Sequence, residues 1–315
     1  MDAKENTFVS PEAFIGTMYW GTRVAESMAH RVIGHALSNG PAFLDTANNY
    51  AFWLGSATGD ESELVIGSWI AKHPESVADG SLRIASKAGA RPVAQGGDLS
   101  NIMDLKPESI RDQLHGSLSR LNVERIDLYY AHIYSRTVPQ SEVIGTLQDL
   151  VSEGLIAHYG VSNYTSTQLP EVLDFTGNQL SPVSIQNYFT YLQPKNFTPY
   201  LQDLMTEEVI STAQDHGITR AGYSPLLSGA YDAKGKDFPD MYEASAIETP
   251  LSALRRIAQE YGLASGQVVL SWATHRHRSV TPIVGISSPE QFDSMSHAIK
   301  TDLPEAVYLA LDAAR

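Results

Sequence analysis

The sequence predicts an α/β chain folded as a (β/α)8 TIM barrel, and three observations carry that expectation. From about residue 40 onward, short apolar runs alternate with longer segments of helical period; a first strand near Ala13 to Gly16 brings the total to eight strand-then-helix units. The 315 residues contain no linker-like or low-complexity stretch, so one barrel domain over 1–315 is expected, a size that parallel barrels reach around one core. No GxGxxG string follows the first strand and no Walker A string occurs. A doubly wound open sheet stays as the alternative architecture.

The elements follow in order. The first strand leads into a helix at about 24 to 38, and Ala42 to Leu44 forms the second strand before a helix at about 61 to 72. Leu82 to Ala85 is the third strand, followed by Pro107 to Leu121, where Ile110, Leu114, Leu118 and Leu121 share one helical face and Pro107 marks the start. Ile126 to Ala131 is the fourth strand; the next helix spans Pro139 to Val151, with the stripe Val143, Leu147, Leu150 and Val151 and Gly154 as its stop. Leu155 to Val161, Val183 to Gln186, Ile218 to Tyr223 and Val280 to Ile286 complete the strands, each short and apolar enough for a buried parallel strand. Helical segments at 166 to 175, 203 to 215, 251 to 261, 265 to 275, 289 to 299 and 304 to 314 fill the intervals.

Composition narrows the function. With 22 Lys and Arg against 36 Asp and Glu, the formal charge is −14, opposite to the clustered basic surface that nucleic acid or an anionic membrane requires. The absence of Cys removes disulfides, thiolate metal sites and cysteine nucleophiles. The charged N-terminus MDAKENTF has no apolar signal region and no 18-residue apolar run occurs, so a soluble cytoplasmic chain is expected, with self-association left open.

Barrel chemistry sits where strands end. The second strand runs into DTANNY, with Asp45 at its end and Tyr50 five residues on; the third ends in SKAG, with Lys87; the fourth, IDLYYAH, ends in His132. Taken singly, each has an ordinary reading as a turn residue, a packing ring, a solvated charge or a satisfied core histidine. An acid, a phenol, an ammonium and an imidazole at the same end of three successive strands suggest one site. When hydride reaches a carbonyl carbon, negative charge develops on oxygen and a placed proton donor stabilises it. Lys87 would lower the phenol pKa of Tyr50, Asp45 would hold Lys87 charged, and His132 would orient the carbonyl.

From about Phe14 to Met295 the chain resembles the aldo-keto reductase family. The resemblance is carried by IGTM at 15–18, DTANNY, SKAG, DLYYAH, GVSN at 160–163, IQN at 185–187, YSPL at 223–226 and PIVGISSPEQ at 282–291. It implies Asp45, Tyr50, Lys87 and His132 as a catalytic tetrad, Ser162, Asn163 and Gln186 around a nicotinamide carboxamide, and Tyr223 stacked on the nicotinamide ring. It further implies Gly16, Thr17 and Met18 beside the ribose and Ser224, Pro225 and Leu226 over the pyrophosphate. Gly285 and Ser287 come before a phosphate-suited helix start, and Gln291 falls at the adenine.

Three departures stand out. Ser294 and Met295 replace the family's acidic-plus-Asn pair, His132 is followed by IYSR, and Thr281 to Ile299 holds no Lys or Arg for a ribose 2′-phosphate. Arg276 and Arg278 precede the eighth strand, on the opposite barrel face, which leaves Lys234 and Lys236 as nearest substitutes. NADP(H) is favoured as cofactor, with NAD(H) possible.

Aromatics crowd the loops after the strands: Tyr19, Trp20, Phe52, Trp53, Tyr134, Tyr188, Phe189 and Tyr191. They suit a small carbonyl or alcohol substrate, with Trp20 and Trp53 as contacts. A metal-dependent hydrolase is the rival enzyme class, but the HxH string His275 to His277 ends a helical stretch and reads as a solvated basic end, so no metal is expected. A NAD-linked sugar or alcohol dehydrogenase is a further alternative. So is a nucleotide-holding accessory subunit without turnover, since some relatives with this fold act as accessory subunits of potassium channels.

Overall fold

The computed structural model describes residues 7–176, 180–195, 197, 201–233, 236–276 and 279–315. Eight parallel strands close into a barrel in chain order: β1 Phe14–Gly16, β2 Ala42–Asp45, β3 Leu82–Ala88, β4 Ile126–Ala131, β5 Ile156–Ser162, β6 Ser184–Tyr188, β7 Thr219–Tyr223 and β8 Thr281–Gly285. β1 pairs with both β2 and β8, which seals the ring and leaves no open edge. The helices are α1 Glu26–Ser38, α2 Glu61–Ile70, α3 Glu75–Ala78, α4 Pro107–Leu121, α5 Gln140–Ser152, α6 Gln168–Thr176, α7 Glu207–Asp215, α8 Ala244–Tyr261, α9 Ser265–His275, α10 Pro289–Lys300 and α11 Glu305–Ala314. The doubly wound alternative is thereby excluded.

Side-chain alternation along the strands positions the site. Phe14, Phe43, Ala85, Leu128, Tyr130, Ala221 and Ile283 form a cluster of their own inside the barrel, apart from the larger core between strands and helices. Because a strand repeats every two residues, the next inward positions are Gly16, Asp45, Lys87, His132, Tyr223 and Gly285. The apolar layer is therefore the floor of a polar layer at the C-terminal mouth. Gly160 lets that floor close: a Cβ there would lie 2.5 Å from Cε1 of Tyr130 and 2.7 Å from the carbonyl oxygen of Ser184. The room goes to the Tyr130 ring, whose hydroxyl donates to Ser184 Oγ at 2.8 Å.

Several boundaries differ from expectation. β3 runs on to Ala88, so Lys87 lies within a strand still paired to β4, opposite Tyr130, and not at a fraying end. α8 starts at Ala244, seven residues early, and carries Pro250, which has no N–H to donate, inside it. α7 begins late, at Glu207, where Thr206 caps the amide of Val209. The short α3 has no apolar period to announce it.

Candidate active site

Lys87 is fully buried and uses all three ammonium protons. Its Nζ donates to Asp45 Oδ1, to the carbonyl oxygen of Thr46 and to the Tyr50 hydroxyl, each at 2.7 Å. Tyr50 in turn donates to Asp45 Oδ1 at 3.1 Å, and Gln186 Nε2 donates to Asp45 Oδ2 at 2.8 Å. Every charge in this buried pair thus has partners, the condition under which such a pair survives in a fold. The Thr46 carbonyl was not foreseen, although Thr46 directly follows Asp45 in the DTANNY string.

His132 completes the group. Its ring meets that of Tyr50 edge-on, with centroids 6.2 Å apart. Its Nδ1 is buried without a partner, and its main chain is fixed by Ala88 and Asn163. The structure brings Asp45, Tyr50, Lys87 and His132 together as expected.

The electrostatics correct one expectation. Burial, then the charge and hydrogen bond of Asp45, pushes the Tyr50 phenol well above its ordinary value. Lys87, although its ammonium is only 2.7 Å away, does not draw it down on balance, because burial is the larger effect and Asp45 adds to it. Burial also lowers Lys87, against the pull of Asp45 and Glu63. His132 is held well below its ordinary value by burial and by Lys87. At neutral pH the site therefore holds a protonated phenol and a neutral imidazole.

Ser162, Asn163, Gln186 and Tyr223 surround this group, and their polar atoms are engaged with one another. Ser162 Oγ donates to the Gln186 carbonyl at 2.8 Å. Asn163, at φ 62°, donates from Nδ2 to the His132 carbonyl at 2.9 Å and receives the Tyr223 hydroxyl on Oδ1 at 2.8 Å. Asn187, not singled out from the IQN string, braces the set: its Oδ1 takes the amide of Asn163 at 2.9 Å and its Nδ2 reaches the carbonyls of Tyr164 and Leu204.

The residues present fit a dinucleotide. In the loop after β7, Ser224, Leu227 and Ser228 have φ between 49° and 60°, with Gly229 at 90°, a tight run in which the amides of Leu227 and Gly229 close turns onto the carbonyls of Ser224 and Leu226. Pro225 is buried there, and its carbonyl is fixed by Thr190, while Leu226 is half-buried. In the neighbouring loop after β8, Ser288 caps α10, and Ser287 holds Gln291 through its amide and hydroxyl, both at 2.8 Å. Gly16 and Gly285 are paired between them, Met18 is half-buried, and Thr17 is buried with its hydroxyl on the Asp45 carbonyl. Lys236 donates to the Ser228 carbonyl, within the same loop; Lys234 lies outside the described residues.

Other expectations need correction. Trp20 is 1% exposed and its Nε1 donates to the Ile286 carbonyl at 2.8 Å, so it ties the β1 and β8 loops together and presents no accessible wall to a substrate. Trp53 is 49% exposed, edge-on to Phe52. Tyr188, Phe189 and Tyr191 are core: Phe189 stacks on Trp272, and the Tyr191 hydroxyl reaches the Leu311 carbonyl. Arg276 is not a solvated end; it is buried over Trp272 and paired with Glu207 at 2.6 Å, while His277 and Arg278 lie outside the described residues. Among the described residues no group of three or more His, Asp or Glu side chains could hold a metal, and no helix is long and apolar enough to cross a membrane.

Comparison with known proteins matches residues 14–315 to the Aldo/keto reductase family. An uncharacterized oxidoreductase YrpG of Bacillus subtilis is 26% identical over 95% of this chain and 90% of its own length. The 6-dehydroglucose reductase of Novosphingobium aromaticivorans is 27% identical, covering 91% and 87%. The aldo-keto reductase yakc [NADP(+)] of Schizosaccharomyces pombe is 25% identical, covering 90% and 81%.

Proposed function

Because the chain belongs to the aldo/keto reductase family and is an oxidoreductase, we propose that it reduces a small aldehyde, ketone or sugar carbonyl with NADP(H), Tyr50 giving the proton. The observation that carries this reading is the Asp45, Lys87 and Tyr50 triangle, in which a protonated phenol faces an ammonium that has no other protons to give. When bound, the cofactor supplies the hydride. Tyr50 donates its proton to the developing alkoxide. As phenolate character grows on Tyr50, the hydrogen bond from Lys87 strengthens, and Asp45 keeps Lys87 charged and aimed. Neutral His132 orients the carbonyl by a hydrogen bond. Ser162, Asn163 and Gln186 would hold the nicotinamide amide and Tyr223 its ring, with the loop from Ser224 and the start of α10 around the phosphates. Trp53 would close over the substrate. A sugar carbonyl falls within the class, as the name of one relative, 6-dehydroglucose reductase, suggests.

One observation favours a second reading. Glu290 is exposed in the first turn of α10, and Thr281 to Ile299 holds no Lys or Arg, so a ribose 2′-phosphate would meet a carboxylate there, with Arg31 and His35 of α1 as the basic side chains facing it. A NAD-linked dehydrogenase, with Tyr50 as base, fits that surface. The test is oxidation of NADPH and NADH, followed by nicotinamide absorbance, across aldehydes, ketones and sugars. Turnover with NADPH is expected; binding of nucleotide without turnover of any carbonyl or alcohol would overturn both readings and leave an accessory subunit.

A further inference from the structure

A chain of alternating charges outside the barrel ties the loop of Tyr50 to the strand of Lys87. Arg91 donates from Nη1 to the carbonyl oxygen of Asn48 at 2.6 Å and to Asp60 Oδ1 at 2.5 Å. Arg120 of α4 approaches the same Oδ1 at 3.2 Å and donates from Nε to Glu63 Oε2 at 2.7 Å. Glu63 is fully buried and receives the hydroxyl of Ser86, the residue before Lys87, at 2.5 Å. The chain begins two residues from Tyr50 and ends beside Lys87. Two neutral links run parallel to it: Asn48 Nδ2 and the Gly89 amide share Gln113 Oε1 at 3.0 Å each, and Asn49 Nδ2 donates to the Ala90 carbonyl at 2.6 Å.

This loop needs external support. Ala51, next to Tyr50, has φ 61°, a left-handed conformation that costs a residue with a Cβ on the order of 1–2 kcal/mol and persists only where the surroundings impose it. Asn48 and Asn49 also bury side-chain oxygens that have no partner. The pair of Arg120 with fully buried Glu63 serves stability, since that carboxylate needs a partner. Arg91 and Asp60 keep side-chain exposures of 21% and 25%, where an ion pair contributes less, and what sets Arg91 apart is its hold on the Asn48 carbonyl, two residues from Tyr50.

We infer that Arg91 is a positioning residue for Tyr50: by clamping the Asn48 carbonyl against Asp60 it holds the phenol at hydrogen-bond distance from Lys87. The inference rests on the reading of Tyr50 as the proton donor. Arg91 and Arg120 line an open surface hollow of ≈ 420 Å³, so truncating Arg91 leaves no sealed void.

The test is a double-mutant cycle on the full chain, with Arg91→Met and Tyr50→Phe, reading kcat, KM and NADPH affinity for a carbonyl that the wild type reduces. Displacing a reacting group by about 1 Å costs up to roughly 10²-fold, so Arg91→Met is expected to lower kcat at least about tenfold with KM and NADPH affinity within about twofold. In the Tyr50→Phe background the same change should have no further effect, because the group it positions is gone. Unchanged kcat in Arg91→Met, or an equal loss in both backgrounds, overturns the inference while leaving Tyr50 in its role. Full activity of Tyr50→Phe overturns that role and the inference with it. If Arg91→Met does not fold, Arg91→Gln, which is shorter and uncharged but keeps an amide donor, is read by the same two criteria.

Discussion

Lys87 and Tyr50 are joined by a 2.7 Å hydrogen bond whose proton comes from the ammonium, while the phenol proton points to Asp45 Oδ1 at 3.1 Å. Lys87 therefore stands as a donor ready for a phenolate, and on the proposed reading Tyr50 stays protonated until a carbonyl oxygen takes its proton.

The pH dependence follows from this pair and from His132. Burial and Asp45 raise the Tyr50 pKa, so the phenol remains a donor through neutral and mildly alkaline pH, and kcat/KM for carbonyl reduction should be flat there. Alcohol oxidation needs the deprotonated phenol, so its kcat/KM should rise with pH across the same range. His132 is lowered by burial and Lys87, so neither profile should break near the ordinary histidine value. Initial-rate profiles in both directions check this; a step near pH 6.5, the ordinary histidine value, would show that His132 titrates as a free imidazole.

Removing one charge of the buried pair should cost stability as well as activity. Lys87→Met leaves Asp45 buried with an uncompensated charge, worth about 3–5 kcal/mol, whereas pairing it with Asp45→Asn removes both charges. Thermal denaturation should show a large loss in the single variant and recovery in the double, with activity absent from both. Equal Tm values for the single and double variants would mean that Asp45 is not held charged.

On the proposed reading, Lys234 and Lys236 supply the charge that favours NADPH over NADH. Replacing both with Ala should weaken NADPH binding by roughly ten- to a hundredfold and leave NADH nearly unchanged, since a charged hydrogen bond is worth about 1.5–3 kcal/mol. Fluorescence titration reads both affinities. If the wild type binds NADH as tightly as NADPH, the NAD-linked reading takes over.

Gly67 of α2 tests the packing that brings Glu63 against Arg120. A Cβ there would lie 1.9 Å from the Arg120 carbonyl oxygen, a contact with backbone that cannot swing away. Helix propensity alone would favour Gly67→Ala by about 1 kcal/mol, and overpacking costs about 1–3 kcal/mol or more, so the clash wins. A Tm lower by a few degrees is expected; a rise would mean that α2 and α4 sit farther apart.

The barrel was legible in the alternation of apolar runs with helical segments, and Asp45, Lys87 and His132 in their places at strand ends, where the two-residue repeat carries the inward face from Phe43, Ala85 and Tyr130; Tyr50, a loop residue, was legible only through the DTANNY string. What was hidden depends on which loops pack inward. Trp20, Phe189 and Tyr191 look like site walls in sequence but are buried by neighbours far along the chain, such as Ile286, Trp272 and Leu311. Arg276 reads as a solvated end until Glu207 and Trp272 close over it. The direction of the Tyr50 shift was misread because motif spacing shows that Lys87 is near and says nothing of burial, the larger effect. The chain from Arg91 to Glu63 joins residues 31 and 57 positions apart, which no local pattern signals.

Tyr50→Phe, loaded with NADPH and mixed with a carbonyl that the wild type reduces, tests the central claim in a single turnover. Only the proton donor is removed; the ring and its packing remain. Nicotinamide oxidation should slow by at least roughly 10²-fold while NADPH affinity stays within about twofold of wild type. A rate equal to that of the wild type would contradict the account and take the proton away from Tyr50.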